Sequence, residues 1–148
     1  MDLELPKDFK EFLSLLSVHG VEYLLIGGYA VAYHGYPRAT NDLDIWIAAT
    51  GKNASRLVAT LKEFGFDAPG LSTELVLGLD SIVRMGFEPV RIEVLKSISG
   101  VSFDECYGER IVDILDGVKV SVISLRHLKI NKKASGRLKD LADIENLP

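Results

Sequence analysis

The sequence holds a single cysteine, Cys106, which excludes an internal disulfide and fits a reducing, cytoplasmic setting. Cys106 has no nearby histidine in the sequence and reads as a packing residue rather than a nucleophile. No apolar run approaches the length of a membrane span, so no membrane association is expected. The N-terminus carries Asp2 and Glu4 where a secretory leader would be basic and then apolar. Neither a G-x-G-x-x-G fingerprint nor a Walker A loop is present, which sets aside the dinucleotide and P-loop solutions to phosphate binding. His19, His34 and His127 are scattered without metal-ligand spacing and receive no role. The formal net charge is −4, which argues against a general nucleic-acid binder relying on many phosphate contacts. There is no repeat, linker or low-complexity stretch, and 148 residues suit one domain, 1–148, with one core.

Helical and strand periodicities mix along the chain. Pro6 to His19 predicts an amphipathic helix with Phe9, Phe12, Leu13 and Leu16 inward and Gly20 as its stop. Tyr23 to Ile26 predicts a short buried strand, and Tyr29 to His34 a short helix closed by Gly35. Asn41 to Ala48 alternates as a strand, and Asn53 to Phe64 carries Leu57, Val58 and Leu61 at helical spacing. Ser81 to Met85 and Val90 to Leu95 predict a hairpin around Gly86 to Pro89. Arg110 to Leu115 and Val118 to Ile123 predict a second strand pair around Asp116-Gly117. Two helices close the chain. This pattern implies an α/β (α+β) fold with a mixed sheet flanked by helices.

The most informative stretch runs from Tyr23 to Ile47. Its apolar strand leads directly into Gly27-Gly28, and thirteen residues separate Gly28 from Asp42. A glycine turn between strand and helix leaves backbone N–H groups facing outward and lets a phosphate come close. Asp42 and Asp44 lie two apart on a strand, so both project from one face, roughly 6.5–7 Å apart at the backbone. Two like charges so placed repel unless a cation lies between them. Hard oxygen donors in that arrangement suit Mg²⁺ or Mn²⁺ bridging to phosphate oxygens. Trp46 shares their face, as a core residue or as a stacking platform for a base.

An apolar strand, Gly-Gly, a helix and then Asp-x-Asp on the next strand resembles the signature of the nucleotidyltransferase superfamily, whose catalytic core is polymerase-beta-like. Gly27, Gly28, Asp42 and Asp44 carry that resemblance. The wording GGYAVAYHGYPRATNDLDIWI is similar to a small prokaryotic branch related to abortive-infection toxins. It implies a nucleotidyltransferase-like sheet with C-terminal helices, a nucleoside triphosphate substrate and divalent metal. It also implies a third acid on a later strand. Glu93, in Arg91-Ile92-Glu93-Val94-Leu95, is the candidate, although the family commonly has Asp there. Its alternative role is as a same-face partner of Arg91. Asp80 and Asp104 are weaker candidates, read as loop residues.

Between Arg126 and Lys139 the chain carries six Lys or Arg and no acid, a local reversal of its overall charge. Ser124 is placed to cap a helix from Leu125. On that helix Leu125, Leu128 and Lys132 fall on one stripe, so Lys132 points inward and requires an anion, for which a triphosphate is the obvious candidate. Ser135-Gly136 breaks the helix. A second helix, Arg137 to Leu147, has Leu138, Leu141 and Ile144 as its apolar face. The string INKKASGRLKDLADIENL resembles the C-terminal motif of the same branch, which implies that Lys132, Arg137 and Asp140 line the nucleotide site. Asp140 has two roles open to it: pairing with Arg137, or contacting a base or ribose. Arg38 either reaches a phosphate or stands as an exposed turn residue. Thr40 and Asn41 are placed to hydrogen-bond the aspartates.

The expectation is therefore a metal-dependent nucleotidyltransferase. Asp42, Asp44 and Glu93 would hold the metal, and Gly27, Gly28, Arg38, Lys132 and Arg137 the nucleotide. The acceptor hydroxyl would belong to RNA, a protein or a small molecule, and a toxin-like role with a cognate protein partner fits the branch. The rival expectation is a catalytically silent nucleotide-binding module acting through a protein partner.

Overall fold

A computed structural model describes residues 3–78 and 83–148. Its elements alternate between strands and helices around one six-stranded mixed sheet of order β3-β4-β2-β1-β6-β5. Helix α1 (Lys7–Val18) follows Pro6, whose extended backbone suits the position before a helix. Phe9, Phe12, Leu13 and Leu16 are its buried face, as their spacing predicts. Burial of each such side chain contributes roughly 1.5–3 kcal/mol. Strand β1 (Tyr23–Ile26) is buried at every position. Helix α2 (Gly27–Tyr33) begins at the very next residue, so the predicted glycine turn is compressed into the first residue of the helix. Gly27 makes the bend with φ +68°, a value costly for any residue with a Cβ.

Strand β2 (Asp42–Ile47) runs antiparallel to β1. Helix α3 (Gly51–Phe64) is capped by Thr50, whose hydroxyl accepts from Asn53 N at 3.2 Å, and closed by Gly65 in the left-handed region. Asn53 is buried and ties Glu22 to Ala48, its amide donating to both carbonyls. Helix α4 (Thr73–Gly78) was not predicted. Strands β3 (Val83–Met85) and β4 (Arg91–Leu95) form the expected antiparallel hairpin. The predicted start of β3 at Ser81, and the candidate Asp80, lie outside the described residues, as does Asp2. Helix α5 (Phe103–Gly108) replaces the loop expected around Asp104. It packs Phe103 edge-on against Trp46, at 5.2 Å between ring centres. Strands β5 (Ile111–Leu115) and β6 (Val118–Val122) pair antiparallel, and β6 runs parallel to β1.

Helix α6 (Leu125–Ser135) is capped by Ser124 and closed by Gly136 at φ +68°. Helix α7 (Leu138–Asn146) packs against it. The apolar face expected for α7 is not the buried one. Leu138 is 87% exposed and Leu141 40%, whereas Asp140 and Asp143 are buried. The reason is electrostatic: the two acids, three apart and so on one helical face, meet cations on the neighbouring elements. No described helix is long and apolar enough to cross a membrane.

Candidate metal and nucleotide site

Strand pairing assembles the acids. β4 lies parallel to β2, with Asp42 beside Arg91 and Asp44 beside Glu93. Residues two apart share a sheet face, so Asp42, Asp44, Arg91 and Glu93 project from one side. Carboxylate oxygens of Asp42, Asp44 and Glu93 all lie within 4.8 Å of one another. On the other flank Ile26 pairs with Asp44, which brings the Asp44 carboxylate over Gly27. A Cβ on Gly27 would occupy the place of that oxygen. Gly28 is confined differently: its Cβ would meet the Thr40 hydroxyl at 2.5 Å.

The acids open into a cavity of about 500 Å³, whose walls come from β1 to β4, the start of α2, the segment after β4 and the two C-terminal helices. Gly27, Asp42, Asp44, Glu93, Lys132, Arg137 and Asp140 all line it. Burial and the neighbouring Glu93 and Asp42 charges push Asp44 up to about 7, with Lys132 pulling the other way. Burial is the larger cause, and the two neighbouring carboxylates add to it. A divalent cation would correct that, and three converging oxygen donors fit one.

Arg91 supplies part of the missing charge. Its Nε and Nη2 donate to the two oxygens of Asp42 at 2.9 and 3.0 Å. Its Nε also stands 3.4 Å from Glu93 and its Nη2 3.1 Å from Glu88. Arg84, the cross-strand neighbour of Glu93 on β3, lies 3.2 Å from it but is 63% exposed.

The second group of charges is closed on itself. Lys132 Nζ donates to Asp140 at 2.8 Å and stands 3.0 Å from Asp143. Arg38 grips Asp143 with two donors, at 2.8 and 2.9 Å. Arg137 donates to Asp140 at 2.7 Å, and the Ser135 hydroxyl also contacts it. Burial raises the carboxyl of Asp140, but the hydrogen bonds from Lys132, Ser135 and Arg137 outweigh it and hold Asp140 down at about 2. Burial raises Asp143 as well, and Arg38 and Lys132 bring it below its ordinary value.

A family model described as nucleotidyltransferases of unknown function (DUF6036) matches residues 4–147. The chain belongs to that family. No curated protein sequence matches it. Among solved structures it resembles a candidate nucleotidyltransferase of Thermotoga maritima at TM-score 0.58 and 15% identity, over 93% of this chain and 86% of that one. It also resembles an antigenic nucleotidyltransferase-like protein of Paracoccidioides brasiliensis at TM-score 0.53 and 17% identity, over 96% of this chain and 76% of that one. At those identities the likeness is one of fold.

Within this family member, the sequence-predicted residues divide. The three acids come together with Gly27, Lys132 and Arg137 around one cavity. Gly28 and Arg38 are not among its lining residues. Lys132 lines the cavity while its Nζ is paired with the carboxylates of Asp140 and Asp143. Thr40 donates to the Asp42 carbonyl and not to a carboxylate, and Asn41 reaches Glu88. Trp46 is 1% exposed and donates to the Lys96 carbonyl, so it is a core residue and offers no stacking face. Asp104 lies in the first turn of α5. Sequence reasoning missed Arg84 and Asp143. Both had a readable signal: Arg84 faces Glu93 across the predicted hairpin, and Asp143 stands three residues from Asp140 on a helix.

Proposed function

We propose that this protein is a metal-dependent nucleotidyltransferase that transfers a nucleotidyl group from a nucleoside triphosphate to an acceptor hydroxyl, releasing pyrophosphate. The observation that carries this reading is the convergence of Asp42, Asp44 and Glu93 within 4.8 Å, in a cavity that also contains Lys132 and Arg137. The three acids would hold Mg²⁺ or Mn²⁺. When bound, the metal supplies Lewis-acid polarisation of the phosphate and lowers the pKa of the attacking hydroxyl. Arg137, largely exposed on the cavity rim, neutralises phosphate charge, with Lys132 behind it. Gly27 keeps the wall beside Asp44 free of side chain, so acid and substrate share that space. Residues 1–148 act as one catalytic unit, with RNA, a protein side chain or a small molecule as the acceptor. The likeness of the Gly-Gly and Asp-x-Asp segment to abortive-infection toxins supports a toxin-like role with a protein partner.

The test is labelled-nucleotide transfer together with thermal melts in each of the four NTPs, with and without Mg²⁺. A magnesium-dependent rise in Tm is expected, with transfer falling below detection in Asp44→Asn while the fold persists. Full transfer by Asp44→Asn would overturn the mechanism. A second reading, nucleotide binding without turnover, is favoured by Glu93 standing where Asp is usual in the superfamily. Magnesium-dependent binding with no transfer to any acceptor would support it.

A further inference from the structure

Arg91 is the one cation that engages both oxygens of a triad acid among the described residues. It reaches Asp42 from the same face of the adjacent strand, with no intervening residue. Its side chain is 29% exposed and that of Asp42 25%, so the pair is screened from bulk water only in part. An alternative acceptor is already within reach: Nη2 stands 3.1 Å from Glu88, whose side chain is 55% exposed on the turn before β4. In the structure the guanidinium is shared among Asp42, Glu88 and Glu93, the last 3.4 Å from its Nε.

We propose that Arg91 is a resident competitor of the divalent cation for Asp42, and that Glu88 is the acceptor to which it transfers when the cation binds. The proposal rests on the metal reading of the triad. It makes Arg91 a positioning residue, one that sets the affinity for metal without touching the reacting atoms. The physical basis is exchange: the metal does not meet a free carboxylate but displaces a forked, charge-assisted pair. Arginine is suited to the task because it stays charged at every working pH and matches both oxygens. Glu88 reduces the cost of release, since the guanidinium leaves one carboxylate for another it already contacts.

The experiment is titration of the protein with Mn²⁺ alone, free ion followed by paramagnetic resonance. It compares wild type, R91Q, R91K, E88Q and the R91Q/E88Q double variant, with Tm of each as the folding control. R91Q is expected to bind Mn²⁺ about tenfold more tightly than wild type. R91K is expected to shift in the same direction although the charge is kept, because a lysine cannot hold both oxygens in a fork. E88Q is expected to bind Mn²⁺ more weakly than wild type, and that effect should vanish in the R91Q background. Wild-type affinity in R91K would mean that Arg91 acts only through its charge and would overturn the competition. Weaker Mn²⁺ binding by R91Q would make Arg91 an orienter of Asp42 and would also overturn it, leaving the metal site standing. Absence of Mn²⁺ binding in every protein would remove the metal reading and this inference together.

Discussion

Two groups of carboxylates, one partly buried on the sheet and one buried on α7, have their charges handled in opposite ways. Asp140 and Asp143 on α7 face Lys132 and Arg38, two acids against two bases, with Arg137 added from outside. Asp42, Asp44 and Glu93 on the sheet are three acids against Arg91 and a largely exposed Arg84. The consequence appears in the protonation of like residues: Asp140 is held near 2 and Asp44 is pushed up to about 7. A balanced cluster holds the chain together. An unbalanced one stores repulsion that a ligand can relieve. In this molecule the first clamps α7 onto the body, and the second is the candidate site.

The largest effect should come from breaking the balance of the clamp. Lys132→Met leaves two buried carboxylates without their shared cation, and loss of one partner of a buried pair costs about 3–5 kcal/mol. At this chain length that lowers Tm by roughly 10 °C or more. A melt of Lys132→Met within a degree or two of wild type would show that the clamp does not hold α7.

The imbalance of the triad should appear as a pH dependence of the metal-free protein. Asp44 has a folded pKa of about 7 against an ordinary 3.8, so the folded state binds its proton more tightly than the unfolded chain does. Stability contributed by that proton is present below about pH 4 and is lost as pH rises through 7, to the extent of about 4 kcal/mol. Asp140 has the opposite sign: its folded pKa of about 2 means that its contribution is present above pH 4 and is lost as pH falls toward 2. Together these two groups favour the metal-free fold most near pH 4. In Asp44→Asn the decline between pH 4 and 7 should flatten. Thermal melts across pH in a chelator decide this, and an unchanged decline in Asp44→Asn would assign it to other groups.

The contrast also explains how much was legible in the sequence. The Asp42 and Asp44 pair was readable because its geometry is local, the two sharing a strand face by period alone. Glu93 came from the resemblance, and what joins it to the pair is the non-local pairing of β4 with β2. The clamp was only half readable. The inward stripe of α6 gave Lys132 correctly, but its partners lie on another helix, and the leucines of α7 offered a plausible apolar face. Buried Asp140 and Asp143 invert that face because Lys132 and Arg38 wait beneath it, and Arg38 comes from a loop about a hundred residues earlier in the chain. Periodicity records where side chains point, not which charges they will meet. The glycines show the same limit. Gly27 and Gly28 are expected to make room for phosphate; the structure adds a demand the sequence did not show, setting Gly27 against Asp44 and Gly28 against Thr40.

Arg38 separates the two clusters in a smaller experiment. It is 17% exposed, bound to Asp143 by two donors, and absent from the cavity wall. Arg38→Met should cost about 2 kcal/mol, the scale of hydrogen bonds to a charged group, while the affinity for Mg-NTP stays within a factor of about two. A large loss of nucleotide affinity at unchanged stability would restore the sequence expectation that Arg38 reaches a phosphate.

Arg137 should show the reverse and the smallest change in stability. Its side chain is 72% exposed, so its ion pair with Asp140 is largely screened and Arg137→Ala should shift stability by less than about 1 kcal/mol. Asp140 keeps Lys132 and Ser135 as donors, which is why the clamp survives the substitution. The same residue lines the cavity that the acids open into, and a guanidinium there can fork two phosphate oxygens. Nucleotide affinity should therefore fall about tenfold in Arg137→Ala, and Arg137→Lys should recover only part of it because an ammonium cannot form the fork. Calorimetric titration with Mg-NTP, alongside a melt of each variant, measures both quantities on one sample. Unchanged affinity would place Arg137 with the clamp and leave the phosphate to Arg84 and Lys139, which also line the cavity.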